Sequence, residues 1–132
     1  MIPQIPQILV DEDIKNWLQV DIPFWDVTSN LLPHKNSKAK IFTKQEGIIA
    51  GLPFAQRVFE LMNCEFKMLI EEGAFVEKKK AIAEVKGDIK DLLQAERTAI
   101  NLLGRLSGIA TQTSQMIKKA KTVNENIRIC GT

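Results

Sequence analysis

The sequence is poor in the residues that most often carry chemistry: 132 positions hold two cysteines, one histidine and no tyrosine. Cys64 and Cys130 are far apart, with no Cys-x-x-Cys spacing and no histidine beside them, so neither a zinc site nor a disulfide framework is suggested. A reducing cytoplasm is the expected compartment. Net charge is also small, since 18 Lys and Arg against 16 Asp and Glu leave +2. That balance is too even to argue for nucleic acid by charge alone and leaves small metabolic anions equally open. Long hydrophobic runs are missing as well. Met1 to Val10 is interrupted by Pro3 and Pro6 and has no basic start, so neither a signal peptide nor a membrane span is expected. What remains, at 45% hydrophobic, is enough for one core and too little for two ordinary domains.

The apolar spacing predicts alternating elements. Asp11 to Val20 reads as a short helix with acidic residues at its start and Ile14, Trp17 and Leu18 on one side, ended by Pro23. Trp25-Asp26-Val27-Thr28-Ser29 favours a turn or cap. Lys38 to Lys44 and Gly47 to Gly51 read as strands, and Pro53 opens a helix that carries Phe54, Ala55, Val58, Phe59, Leu61 and Met62. Glu65 to Ile70 and Ala81 to Val85 complete a small mixed sheet, with turns at Glu71-Glu72-Gly73 and Gly87-Asp88. The fold class is α+β.

From Asp88 the helical period is strong. Leu92, Ala95, Ala99, Leu102, Leu103, Leu106 and Ile109 gather on one side, and Arg97, Asn101, Gly104, Arg105 and Gly108 on the other. Asp88 is placed to cap this helix, and Ser107-Gly108 reads as a break before a second helix from about Ile109. The glycines on the polar side leave room for another backbone or a ligand. Asn126 to Cys130 reads as a strand. A strand directly after a helix is expected to have parallel neighbours, supplied by a longer polypeptide, a second chain or another subunit, the first being preferred.

Ala95-Glu96-Arg97-Thr98-Ala99-Ile100-Asn101-Leu102-Leu103, followed by Leu106-Ser107-Gly108-Ile109-Ala110-Thr111, resembles the signature helix pair of the quinolinate phosphoribosyltransferase family. Asp26-Val27-Thr28-Ser29, Glu46-Gly47-Ile48-Ile49-Ala50-Gly51 and Glu72-Gly73 follow the family's order. Cys130-Gly131-Thr132 is similar to the end of its first barrel strand. Trp25 departs from the pattern, where a glycine is usual.

The resemblance implies an N-terminal open α/β sandwich, hammerhead-like, over residues 1–106, and the first helix and strand of an incomplete α/β barrel over 107–132. It implies phosphoribosyl transfer from phosphoribosyl pyrophosphate to quinolinate with decarboxylation, giving nicotinate mononucleotide for NAD biosynthesis. Magnesium accompanies the pyrophosphate, with ligands outside this chain, and a head-to-tail homodimer closes each active site. Arg97 would bind a quinolinate carboxylate in the neighbouring subunit's site, as a flat bidentate donor can. Thr132 would bind substrate at the ligand end of a barrel strand. No catalytic or metal-binding residue is expected within the chain, which alone should be inactive.

The plainer readings are that Arg97 is a solvated residue paired with Asp91 or Glu96, and Thr132 a frayed terminus. Arg105 is expected to make a packing or dimer contact. His34 has no visible oriented partner, Asp26 and Glu96 are lone carboxylates, and Lys78-Lys79-Lys80 reads as a solvated loop. Competing functions are a nicotinate-specific phosphoribosyltransferase, the homologue associated with molybdenum transport, or a noncatalytic binding or assembly module.

Overall fold

The structure, a computed structural model, describes residues 5–22 and 31–130. The Trp25 to Ser29 turn and Thr132 lie outside the described residues. In order the elements are α1 (Gln7–Asp21), β1 (Asn36–Phe42), β2 (Gly47–Ile48), α2 (Leu52–Leu61), β3 (Glu65–Met68), β4 (Phe75–Val76), β5 (Ala81–Asp88) and α3 (Ile89–Val123). The class is α+β.

The central sheet has the order β1-β5-β3, and β2 pairs with β4 in a second, two-stranded sheet. All three pairings are antiparallel, so the expected mixed sheet is corrected on this point, and every pair joins strands that are not consecutive in the chain, with β5 seated between β1 and β3. Val85 faces Ala39 on one side and Phe66 on the other, and Ala83 faces Ile41 and Met68. Those rows form the inner face. Between Ile41 and Phe42 the register slips from Ala83 to Ala81, and the extra residue, Ile82, is buried beside Ala83, as a bulge permits. Opposite charges pair across the outer face, Lys40 with Glu84 and Lys86 with Glu65.

The helices cover the inner face. Ile14 and Leu18 of α1, Leu52, Ala55, Val58 and Phe59 of α2, and Leu92, Ala95, Ala99 and Leu103 of α3 join Ile82 and Val85 in one core. Phe59 stacks at a tilt on Phe66, ring centres 5.6 Å apart. α1 is clamped to α2 by a bidentate pair in which Arg57 Nε and Nη2 donate to the Asp11 carboxylate at 2.7 and 2.8 Å. It is tied to α3 by Thr98 Oγ1, which donates to Asp21 Oδ2 at 2.6 Å.

Several sequence expectations need correction. α1 begins at Gln7, one residue after Pro6, so the acidic cluster lies inside the helix, where Asp11 serves Arg57. The β2 ladder covers only Gly47 and Ile48, while β5 runs on to Asp88. Ser107-Gly108 does not break the helix: α3 is continuous for 35 residues. Ile109, assigned to the core side, is 56% exposed. Asn126 to Cys130 forms no ladder, because a strand exists only with a partner for its backbone groups and none reaches it among the described residues.

Candidate functional site

The family-like motifs of the sequence meet in space. Gly51 has φ of +97°, a left-handed conformation that costs glycine little, and it turns the chain from the β2 segment into α2. The Glu72 carboxylate accepts from Gly51 N at 2.6 Å and from Leu52 N at 2.9 Å. It thereby caps α2 at the end where helix amides are free and the dipole favours an anion. Thus Glu72 and Gly73, far along the chain, anchor the Gly47 to Gly51 segment.

α3 grips the same segment from the other side. Ile48 N donates to Thr111 Oγ1 at 2.9 Å, and Ala50 N donates to Ser107 Oγ at 3.0 Å. Ser107 Oγ returns a hydrogen bond to Ala50 O at 3.2 Å. Residues four apart share one face of a helix, and alternate residues of an extended segment point their backbone groups to the same edge. The Ser107–Thr111 pair therefore matches the Ile48–Ala50 pair, and two hydroxyls take the place of a neighbouring strand. At Gly47 a Cβ would stand 2.6 Å from Thr111 Oγ1, so any larger residue would displace the hydroxyl. At Gly51 a Cβ would meet Leu106 Cδ1 at 2.7 Å. This interlock is why Ser107 sustains the helix where its sequence suggested a stop. Its signal was the i, i+4 spacing of two hydroxyls, which sequence reading alone did not connect with β2.

The start of α3 is also fixed by side chains. Asp88 Oδ1 accepts from Lys90 N at 2.9 Å, the cap expected of it, and His34 Nδ1 lies 3.0 Å from Asp88 Oδ2. The Lys90 amide holds the Asp88 carboxyl below the usual carboxylate range; burial opposes this and His34 adds to it. His34 thus has a partner, and the pair braces a cap. Cys64 is buried at 4% exposure, and burial, helped by Asp91 and Asp88, pushes its thiol up to about 11.

With its start and middle fixed, α3 presents Arg97 outward. The side chain is exposed and forms no ion pair among the described residues, neither with Asp91 nor with Glu96. The helix explains both absences: adjacent residues diverge by about 100°, and residues six apart by about 240°. Arg97, Gly104 and Gly108 share one stripe within about 20°, and no atom within 4 Å would obstruct a side chain at either glycine. Beside this stripe runs a groove of about 900 Å³ between α3 and the uncovered inner side of β1, lined by Ile41, Phe42, Leu93, Glu96, Ile100 and Ser107 among others. Gly104 and Gly108 line the groove, and Arg97 is not among its lining residues. Among the described residues no three His, Cys, Asp or Glu side chains converge as metal donors. The arrangement offers a positive, hydrogen-bonding fork on a rigid helix, suited to an anion brought by another body.

Known proteins are similar in both sequence and shape. Residues 26–107 match the family described as quinolinate phosphoribosyl transferase, N-terminal domain. A probable nicotinate-nucleotide pyrophosphorylase (carboxylating) of Methanocaldococcus jannaschii is 40% identical over 121 residues, covering 90% of this chain and 42% of that protein. The human nicotinate-nucleotide pyrophosphorylase (carboxylating) is 29% identical over 128 residues, covering 97% of this chain and 43% of that protein. Among solved structures, the nicotinate-nucleotide pyrophosphorylase of Francisella tularensis superposes with a TM-score of 0.83 at 30% identity, over 89% of this chain and 43% of its own. The chain spans about two-fifths of the length of these relatives.

Proposed function

The chain belongs to the quinolinate phosphoribosyltransferase family by its N-terminal domain, and from that premise we propose that it serves phosphoribosyl transfer to quinolinate in NAD biosynthesis. In this reaction the pyridine nitrogen attacks the ribose carbon of phosphoribosyl pyrophosphate as pyrophosphate leaves, and carbon dioxide is lost to give nicotinate mononucleotide. Such a site must orient two polyanions and match charge that moves as the bonds change. The single observation that carries the proposal here is Arg97: exposed, held on a helix fixed at three places, and within the Glu96-Arg97-Thr98 motif.

In this reading two subunits pair head to tail, and Arg97 of one donates two parallel hydrogen bonds to a quinolinate carboxylate in the site of the other. Thr132 binds substrate at the end of the first barrel strand, the domain boundary falls after residue 106, and the compartment is the cytoplasm. Magnesium, which would screen the pyrophosphate, would be held by groups outside this chain.

The test is nicotinate mononucleotide formation from quinolinate and phosphoribosyl pyrophosphate by the native polypeptide purified from its source. Turnover is expected there, and Arg97→Ala should raise the KM for quinolinate about 10- to 100-fold, the worth of a charge-assisted bidentate contact. Its circular dichroism should not change, because the side chain is exposed. Arg97→Lys should recover only part of the loss, since a point charge lacks the fork. An unchanged KM in Arg97→Ala removes Arg97 from the site, and absence of turnover removes the reaction.

A further inference from the structure

Thr98 is 2% exposed, and it is the one polar residue among those buried on α3. A buried helix threonine commonly turns its hydroxyl back to the carbonyl four residues earlier, here that of Gln94. Thr98 Oγ1 instead donates across to Asp21 Oδ2 at 2.6 Å, a short bond to a carboxylate, which is of the stronger kind. Asp21 is itself out of place by local physics. It is the last residue of α1, with no basic residue in that turn, and a helix dipole opposes negative charge at this end. A carboxylate kept where its own helix disfavours it marks a contact made elsewhere.

That contact joins α3 to a fixed body. α1 is seated in the core by Ile14 and Leu18 and pinned at Asp11 by Arg57 Nε and Nη2. It is fastened twice through acids ten residues apart, Asp11 to α2 and Asp21 to α3. The other polar anchors of α3 lie far from Arg97. Asp88 comes nine residues before it and Ser107 ten after, about 14 and 15 Å along the axis at the usual rise. The nearest buried apolar residues are Ala95 and Ala99, whose methyl groups are short levers against rotation. Thr98 adjoins Arg97 directly, and successive residues of a helix diverge by about 100°. Holding Thr98 inward therefore sets the direction in which Arg97 leaves the surface.

We propose, on the reading that Arg97 binds the quinolinate carboxylate, that Thr98 and Asp21 are positioning residues for that contact: their bond fixes the rotation of α3 that aims the guanidinium. Neither touches substrate. At about 6 Å from the axis, the outer radius of a helix with its side chains, a turn of about 10° moves a group by about 1 Å. A two-bond contact needs its donors placed within about 0.5 Å, so a small rotation is enough to spoil it.

The experiment is steady-state kinetics of the full-length polypeptide with Thr98→Val and Asp21→Ala, each alone and each combined with Arg97→Ala. The two substitutions delete the same bond from opposite sides. Asp21→Ala leaves the Thr98 hydroxyl free to bond the Gln94 carbonyl, so it keeps the test open if Thr98→Val folds poorly. Each should raise the KM for quinolinate about 3- to 10-fold, a part of the Arg97→Ala effect, and leave the KM for phosphoribosyl pyrophosphate at the parent value. Loss of folded protein would instead lower the apparent kcat and leave both KM values unchanged. Thr98→Ser keeps the donor and should restore the parent KM. In the Arg97→Ala background neither substitution should raise the KM further, because no guanidinium is left to aim. If Arg97→Ala raises the quinolinate KM and both Thr98→Val and Asp21→Ala leave it unchanged, the positioning role is overturned and Arg97 stays in the site. A rise by the same factor with and without Arg97 overturns it as well. An unchanged KM in Arg97→Ala itself takes Arg97 out of the site and the positioning role with it.

Discussion

Removing the two hydroxyls that join α3 to the β2 segment should loosen one edge of the domain without changing its core. Thr111→Val keeps the shape of the side chain and deletes the acceptor of the Ile48 amide; Ser107→Ala deletes the acceptor of the Ala50 amide and a donor to its carbonyl. A fully buried amide left without a partner costs about 1–3 kcal/mol. These amides are partly buried, so water recovers some of that, and about 1 kcal/mol per substitution is expected. For a chain of this size 1 kcal/mol corresponds to roughly 4 °C in Tm. The double variant should therefore melt about 8 °C below the parent.

The more discriminating assay is amide hydrogen exchange. Thr111→Val should strip protection from Ile48, and Ser107→Ala from Ala50, each with little effect on Val85 in the central sheet. If Ile48 keeps its protection in Thr111→Val and Tm falls by less than about 2 °C, the hydroxyls are not substituting for a strand, and a helix broken at Ser107 becomes the better description.

Glu72→Ala should lower stability by about 1–2 kcal/mol, measured by urea unfolding, because it frees both amides at the start of α2 and removes an anion from the helix N-terminus. Glu72→Gln should retain part of that, keeping one acceptor without the charge. Asp88 gives a pH signature: its carboxyl is held below the ordinary value in the fold, so the unfolded chain binds more protons in acid. The stabilisation is complete above the unfolded value near 4 and is lost as pH falls through the lower folded value. Asp88→Asn should flatten the acid limb of a stability–pH profile, and an unchanged limb would assign it to other carboxylates. The cysteines should separate kinetically. Exposed Cys130 should react with a disulfide reagent at once, while Cys64, buried with its thiol pushed up to about 11, should react only on unfolding.

Much of the fold could be read from local pattern because local physics decides it. Ile14, Leu18, Ala55, Val58, Phe59, Leu92, Ala95 and Ala99 recur at helical spacing and are buried. Asp88 was legible as a cap because an aspartate before an apolar helical run has one obvious use. The errors share a different cause, namely contacts between distant segments. Ser107-Gly108 looks like a stop to any rule that sees only neighbours, and it becomes a grip once Ala50 is beside it. The acidic run at Asp11 resembles a helix start until Arg57 claims Asp11 from inside. β4 is two residues long and is defined solely by its pairing with Gly47 and Ile48, so periodicity had nothing to register.

The site shows the same division. Arg97 can be singled out in the sequence only through its motif, since a helical period places many arginines on polar faces. The structure adds a physical reason for that motif to be long. Thr98 Oγ1 points inward to Asp21, and the next turns bring Leu106 onto Gly51, Ser107 onto Ala50 and Thr111 onto Ile48. Each contact resists rotation of α3 about its own axis. A side chain that must meet a ligand from another body has to project in one direction, and a lone surface helix would not hold that direction. On the role proposed for Arg97, the residues around it are the means of aiming it; the close approach of the helix also puts Thr111 Oγ1 and Leu106 Cδ1 where a Cβ at Gly47 or Gly51 would stand.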